Sequence, residues 1–206
     1  MENSSLKIIV IDDRFKETEA LLVHLRLNFK DAQIVLKNSA KDGLNYILDN
    51  LDSKMIVLLD YELGAGETAT QILSKIREKT SLLYVIIITA KLIIEIPNNE
   101  LAIYINKDAL AIIDKTVSLS ERIDCVKKAI HSLDMRVDSI LEQWVLKHSK
   151  YEQEEPYLTT ISGKTYTLKE ILTEIRQGTD LGKSLERKIL LLAIDLLTRG
   201  KKQIDD

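Results

Sequence analysis

The chain has 206 residues, of which 45% are apolar and 30% are charged, a composition typical of a folded globular protein. Its single cysteine, Cys125, excludes an internal disulfide framework and a cysteine-rich zinc site. The net charge of −3 gives no general reason to bind nucleic acid. Without a signal peptide or a long apolar run, the sequence predicts a cytoplasmic protein that does not bind a membrane.

The first half of the chain alternates strand-length apolar runs with stretches of helical periodicity. The apolar runs are nearly unbroken in Val, Ile and Leu, which is typical of parallel strands covered on both faces. The alternation predicts an α/β domain with a five-stranded, doubly wound parallel sheet. The predicted strands are residues 7–12, 32–37, 55–60, 83–89 and 109–114. The predicted helices are residues 16–29, 41–51, 67–79 and 99–107.

Polar residues stand where four of these predicted strands end. Asp12 and Asp13 follow the first strand, Asp60 ends the third, Thr89 ends the fourth, and Lys115 follows the fifth. Asp and Thr at a single strand end could simply cap the next helix, but capping does not explain polar residues at four strand ends that converge on one edge. Because ligands of parallel sheets bind beyond the carboxyl ends of the strands, these residues are the candidate site.

Residues 1 to about 135 resemble the receiver domain of two-component response regulators. The acid pair, Asp60, the Thr89–Ala90 dipeptide and a lysine after the fifth strand carry the resemblance. Asp60 comes 47 residues after Asp13, and Thr89 comes 29 residues after Asp60, both close to the spacing usual in that family. The resemblance implies a flavodoxin-like fold and a signalling protein rather than an enzyme.

The resemblance also implies a site for phosphoryl transfer. Asp13, Asp60 and the backbone carbonyl of Glu62 would ligate Mg²⁺ directly, with Asp12 acting through water. Three crowded carboxylates repel one another, and a divalent cation relieves that repulsion. Asp60 would then be the nucleophile that takes a phosphoryl group from the phosphohistidine of a sensor histidine kinase.

A switch residue and a lysine complete the implied site. Thr89 would follow the new phosphate with its hydroxyl group. The lysine has two candidates, Lys107 and Lys115, which stand 18 and 26 residues after Thr89. Lys115 is favoured, because choosing Lys107 leaves the apolar run at 109–114 without a place in the sheet. The segment after Thr89 is longer than usual in the family, and Pro97 prevents the next helix from starting before it.

The second half begins with a helical pattern from Ser118 to about Lys150 that contains neither Gly nor Pro. Eight apolar residues in it follow a heptad spacing, which predicts one long helix that overruns the first domain. This seam favours a homodimer, although it could instead pack on the sheet and the C-terminal helices of its own chain. The seam residues are Leu119, Ile123, Val126, Ile130, Leu133, Val137, Ile140 and Trp144.

The last fifty residues, 157–206, form a separate, mainly helical unit after a polar linker at 151–156. A hairpin is predicted over 158–166, and Thr167 with Glu170 forms a capping box for a first helix. The second helix, 184–199, is apolar almost all round and must be covered on more than one side. Its connection to the first helix is longer than the turn of a helix-turn-helix, so DNA binding is not the preferred output.

The sequence therefore predicts a receiver core at 1–117, a long helix at 118–150 and a helical module at 157–206. Phosphorylation of Asp60 would switch a protein-interaction or dimerisation output through residues 118–206. One alternative is a DNA-binding transcription regulator under the same control. Another is a degenerate receiver that keeps the site residues but acts as a scaffold.

Overall fold

The computed structural model describes residues 6–51, 53–64, 68–80, 83–106, 111–114 and 116–199. Its main feature is a sheet of five parallel strands in the order β2-β1-β3-β4-β5. This sheet confirms the predicted fold class. The strands are β1 (Lys7–Ile11), β2 (Gln33–Lys37), β3 (Met55–Asp60), β4 (Tyr84–Ile88) and β5 (Ala111–Ile113).

Five helices cover the two faces of this sheet. Successive strand residues point to opposite faces, so Ile8 and Val10 pack with α1 and α5 while Ile9 and Ile11 pack with α2, α3 and α4. Because both faces are covered, the strands are apolar along almost their whole length. The helices are α1 (Ala20–Asn28), α2 (Ala40–Leu48), α3 (Ala69–Lys79), α4 (Asn98–Asn106) and α5 (Leu119–Asp134). As Pro97 requires, α4 begins directly after it.

The prediction of one long helix over 118–150 is wrong, because the chain forms two helices there and a third begins at residue 150. These are α5, α6 (Val137–Lys147) and α7 (Lys150–Glu154), so the predicted linker at 151–156 is itself partly helical. Between α5 and α6 the backbone of Arg136 is extended, with φ −83° and ψ 155°. The Arg136 guanidinium lies 5.2 Å from the ring of Tyr84, and its Nε lies 3.5 Å from Asp138. Arg136 thus contacts Tyr84 and Asp138 from the position at which the helix is interrupted.

The break also divides the predicted heptad seam. Ile123, Val126 and Leu133 are buried against the sheet of their own chain, whereas Ile140 is 55% exposed. The alternative that the seam packs within one chain therefore holds for its first half. A continuous seam that could form a dimer through 118–150 does not exist.

A hairpin and two helices follow α7. β6 (Leu158–Thr159) pairs antiparallel with β7 (Thr165–Tyr166), and Gly163 adopts a φ of +84° in the turn, a conformation that glycine accepts without strain. α8 (Leu168–Arg176) begins with the predicted capping box. α9 (Asp180–Arg199) begins before residue 184, where its start was predicted. Among the residues that the structure describes, no helix combines the length and apolar composition that a bilayer span requires.

The C-terminal helices are joined to the sheet by a buried group of charges, here called the ion-pair joint. The Arg176 guanidinium at the end of α8 donates a hydrogen bond to the Glu142 carboxylate of α6, and its Nε lies 3.9 Å from Asp138. Lys54, just before β3, lies 3.8 Å from Glu142, and the Thr80 hydroxyl donates to the carbonyl oxygen of Arg176. These contacts cross the predicted domain boundaries, which themselves stay a prediction.

Candidate functional site

Three carboxylates converge at the edge of the sheet formed by the carboxyl ends of its strands. β1 and β3 are hydrogen-bonded neighbours, so Asp12 and Asp13 emerge beside Asp60, the last residue of β3. One carboxylate oxygen of each of the three residues lies within 4.8 Å of the others. The structure thus brings together the three acidic residues that the strand ends predicted.

The electrostatics of this cluster disfavour three negative charges. Burial raises the pKa of Asp60 to about 6, and the neighbouring Asp12 carboxylate adds to that rise. Burial also raises the pKa of Asp12, although the backbone N–H groups of Arg14 and Phe15 donate to its Oδ1 over 2.8 and 3.0 Å. The positive charge of Arg14 does not offset the cost of burying the Asp12 and Asp60 carboxylates.

Gly64, in the loop after β3, holds the third carboxylate in place. Its backbone N–H donates a 3.0 Å hydrogen bond to Oδ2 of Asp13. A Cβ at this position would lie 2.6 Å from that oxygen, so any larger residue would push the carboxylate away. The sequence analysis missed this role. Glycine next to a predicted site is itself a signal for close approach of the backbone.

Asp12 and Asp60 open into a pocket of about 240 Å³, here called the acidic pocket. Thr89 is buried at its wall, and its hydroxyl oxygen accepts a 3.0 Å hydrogen bond from the backbone N–H of Lys91. The side chain of Glu62 turns to Lys91, with a carboxylate oxygen 2.9 Å from Nζ, which lowers the pKa of Glu62. The pocket is lined by Asp12, Arg14, Phe15, Asp60, Glu62, Ile88, Thr89, Ala90 and Arg122.

Two arginines in this lining were missed by the sequence analysis. Arg14 directly follows the acid pair, and its Nε lies 3.9 Å from Asp13. Arg122 comes from the first turn of α5, and its buried Nε has no hydrogen-bond partner in the described part of the chain. The position of Arg14 beside the acid pair could have indicated it, whereas no sequence pattern distinguishes Arg122 from other surface residues of α5.

At the end of the fifth strand, Asp114 has a structural role. The Asp114 carboxylate accepts hydrogen bonds from the backbone N–H groups of Ile93 and Thr116, over 3.2 and 2.9 Å. It thereby fixes a short 3₁₀ helix, Ile93–Glu95, in the long segment after Thr89. The two candidate lysines, Lys107 and Lys115, lie outside the described residues.

The donor set of the acidic pocket suits Mg²⁺. This ion is hard, prefers oxygen ligands, and commonly binds one or two carboxylates while it keeps several waters. The three clustered carboxylates offer such oxygens, and a bound cation would oppose the rise in the pKa of Asp60 that burial and Asp12 cause. The pocket beside Asp60 also leaves room for a group that approaches its carboxylate.

Comparison with solved structures identifies the fold around this site. A receiver domain protein of CheY type from Methanospirillum hungatei is 18% identical, with a TM-score of 0.52 over 63% of this chain and 97% of that one. A receiver domain from Clostridium thermocellum is 22% identical, with a TM-score of 0.51 over 62% and 95% of the two chains.

A third match is the signal receiver domain of an HD domain-containing protein from Pseudomonas fluorescens, at 15% identity and a TM-score of 0.51 over 64% and 99% of the chains. No protein-family model and no curated protein sequence matches this chain. The N-terminal part of the chain therefore has the receiver fold, as its sequence pattern predicted.

Proposed function

We propose that the chain is a cytoplasmic response regulator whose Asp60 accepts a phosphoryl group from a sensor histidine kinase. One observation carries this proposal: three carboxylates lie within 4.8 Å at the carboxyl edge of a receiver-type sheet, beside an open pocket. Among these carboxylates Asp60 is the one that ends a strand, and it lines the pocket. A phosphoacceptor needs this combination of an accessible nucleophile and nearby metal ligands.

Asp13, Asp60 and the backbone carbonyl of Glu62 would hold Mg²⁺, and Asp12 would bind one of its waters. Since Oδ1 of Asp12 already accepts two backbone N–H groups, its other oxygen is the one left for a water. When bound, the ion supplies positive charge to the oxygens of the phosphoryl group.

In the proposed transfer, a carboxylate oxygen of Asp60 forms a bond to phosphorus while the P–N bond of the phosphohistidine breaks. The imidazole nitrogen keeps the electron pair and takes up a proton. Because the pKa of Asp60 is about 6, this side chain is mostly ionised at neutral pH and able to act as a nucleophile. Lys115, which follows Asp114 in the sequence, would neutralise another phosphoryl oxygen.

Thr89 is the proposed switch residue. Its hydroxyl oxygen accepts the N–H of Lys91, so a turn of that hydroxyl toward a phosphate on Asp60 would change this contact. Lys91 begins the segment that leads through the 3₁₀ helix to α4. A charge event at Asp60 would in this way reach the segment after β4.

Intact mass spectrometry tests the phosphoacceptor. We expect the protein, incubated with Mg²⁺ and acetyl phosphate, to gain the mass of one phosphoryl group. Asp60→Asn should gain none, whereas Asp31→Asn, which changes an exposed aspartate, should behave like the wild type. Failure of the wild type to gain mass, or equal gain by Asp60→Asn, would contradict the proposal.

We further propose that the output is a protein contact of the C-terminal helices with a second copy of the chain, and not DNA binding. The last turns of α9 expose leucine and isoleucine side chains, whereas a helix that reads a DNA groove needs Arg, Lys, Asn or Gln to reach base edges. Salt-dependent binding of DNA by the full chain would contradict this part of the proposal.

A further inference from the structure

α9 is much longer than the helix that supports it. α8 has nine residues and α9 has twenty, and the two are joined by a short turn. Leu181 and Leu185, in the first turns of α9, pack on the small core of this unit. At 1.5 Å per residue, roughly 16 Å of α9 extends past the length that α8 can cover.

The part of α9 beyond α8 is apolar and exposed on several sides. Its exposed fractions are 47% for Leu190, 55% for Leu191, 58% for Leu192, 57% for Ile194 and 62% for Leu196. A helix that is apolar around its circumference is ordinarily buried against other protein. None of the described residues of this chain provides that cover.

The charges on this part of α9 are complementary to themselves. Lys188 and Asp195 stand seven residues apart, so they lie on the same side of the helix two turns from each other. In an antiparallel pair of α9 helices, Lys188 of each copy faces Asp195 of the other. The same alignment places Leu191 of one copy against Ile194 of the other, on the side of α9 away from Gly182, which packs on α8.

We propose that a second copy of this chain covers α9 as an antiparallel helix pair, with two Lys188–Asp195 ion pairs beside a seam of Leu191 and Ile194. The proposal rests on the protein-interaction output proposed above but not on phosphoryl transfer. An antiparallel pair is preferred over a parallel one because only the antiparallel alignment joins these opposite charges twice.

The test uses the full-length, unphosphorylated protein and multi-angle light scattering over a concentration series. The wild type is expected to be a dimer at micromolar concentration. Lys188→Asp and Asp195→Lys should each weaken the dimer by on the order of tenfold or more, since each replaces two attractive pairs with two repulsive ones. An equal mixture of these two variants should recover the dimer, as should the double variant that carries both changes.

Leu191→Ser with Ile194→Ser provides the apolar arm of the test, and both positions are exposed, so the fold should persist. We expect this variant to be monomeric with unchanged circular dichroism. A monomeric wild type, or a dimer that none of these changes affects, overturns the proposed interface. A dimer that the serine variant abolishes but that the mixed charge variants fail to restore overturns the antiparallel arrangement. Because no phosphodonor is present, none of these results bears on phosphorylation of Asp60.

Discussion

The two edges of the sheet differ in how their charged side chains are grouped. At the carboxyl edge, Asp12, Asp13 and Asp60 place three carboxylates within 4.8 Å of one another beside the acidic pocket. At the amino edge, the ion-pair joint sets the cations Arg176 and Lys54 against the carboxylates of Glu142 and Asp138. One edge gathers like charges beside open space, and the other gathers opposite charges in the interior.

This difference indicates different roles. In the ion-pair joint, Arg176 and Glu142 are 4% and 6% exposed and share a hydrogen bond, so each offsets much of the cost of burying the other. In the acidic pocket that cost is not offset, and the pKa of Asp60 rises to about 6. Burial also raises the pKa of Asp138 in the ion-pair joint. There the nearest cations are side chains of the chain itself, whereas the acidic pocket is open to a cation or a proton from outside.

The separation of the two edges also constrains the route of the signal. Lys54 precedes β3 and Thr80 follows α3, so the C-terminal helices attach at the end of the sheet opposite to Asp60. β3 has six residues, and a strand of that length spans about 20 Å. A phosphoryl group on Asp60 would therefore affect the ion-pair joint through the sheet and the helices packed on it, and not through direct contact.

Arg176→Met should give the largest change in stability. It removes the Arg176 guanidinium from the buried Glu142 and Asp138, and breaking a buried pair on one side costs about 3–5 kcal/mol. Urea unfolding would measure the loss. Arg26→Met, which removes an exposed ion pair with Glu17, is the matched control and should cost less than about 1 kcal/mol.

A double variant, Arg176→Met with Glu142→Leu, separates pairing from packing. It removes both hydrogen-bonded partners, so it should be more stable than Arg176→Met alone. If Arg176→Met cost no more than Arg26→Met, the ion-pair joint would not hold the C-terminal helices to the sheet.

Asp60→Asn should have a smaller effect, and of opposite sign. The pKa of Asp60 in the folded chain lies above its ordinary value of 3.8, so the ionised carboxylate destabilises the fold at high pH. This penalty declines as pH falls below about 6 and is lost below 3.8. Near pH 8, without divalent cations, the variant should be more stable by about 1 kcal/mol, after allowance for solvent screening in the open pocket.

Thermal unfolding at two pH values measures this effect. Near pH 8 the melting temperature of Asp60→Asn should exceed that of the wild type by about 2–4 °C, and near pH 5 this difference should fall to about half, because only part of the penalty is lost between pH 6 and pH 5. Asp31→Asn should match the wild type at both. If Asp60→Asn melted below the wild type near pH 8, burial of the ionised Asp60 carboxylate beside Asp12 would not destabilise the fold.

The acidic pocket could be predicted from the sequence because parallel strands bring their ends to one edge. Asp12, Asp13 and Asp60 each stand at such an end, and pairing of β1 with β3 was enough to join them. The fixing of Asp13 by Gly64 is a contact between loops, which neither periodicity nor strand position encodes.

The ion-pair joint could not be predicted in this way. Asp138, Glu142 and Arg176 fall among polar positions of helices, where charged residues are ordinarily exposed. The break at Arg136 was missed for a related reason: heptad spacing reports which side of a helix is apolar, not whether the helix continues. At this break the extended Arg136 contacts Tyr84, which is distant in sequence, and Asp138, which lies outside the seam.

Lys91→Met should have the smallest effect on stability. Lys91 forms an ion pair of 2.9 Å with Glu62, which lines the acidic pocket, but the two side chains are 42% and 35% exposed. Water and salt screen such a pair, so the melting temperature should stay within experimental error of the wild type.

Phosphorylation should also survive this change. Glu62 is proposed to bind Mg²⁺ through its backbone carbonyl, which does not depend on the partner of its side chain. Intact mass after incubation with acetyl phosphate should therefore show the same single phosphoryl group in Lys91→Met as in the wild type. Loss of that group with an unchanged melting temperature would mean that the Glu62–Lys91 pair positions the loop after β3 for metal binding. The carboxyl edge would then depend on paired charges too, and the contrast between the two edges would be one of exposure alone.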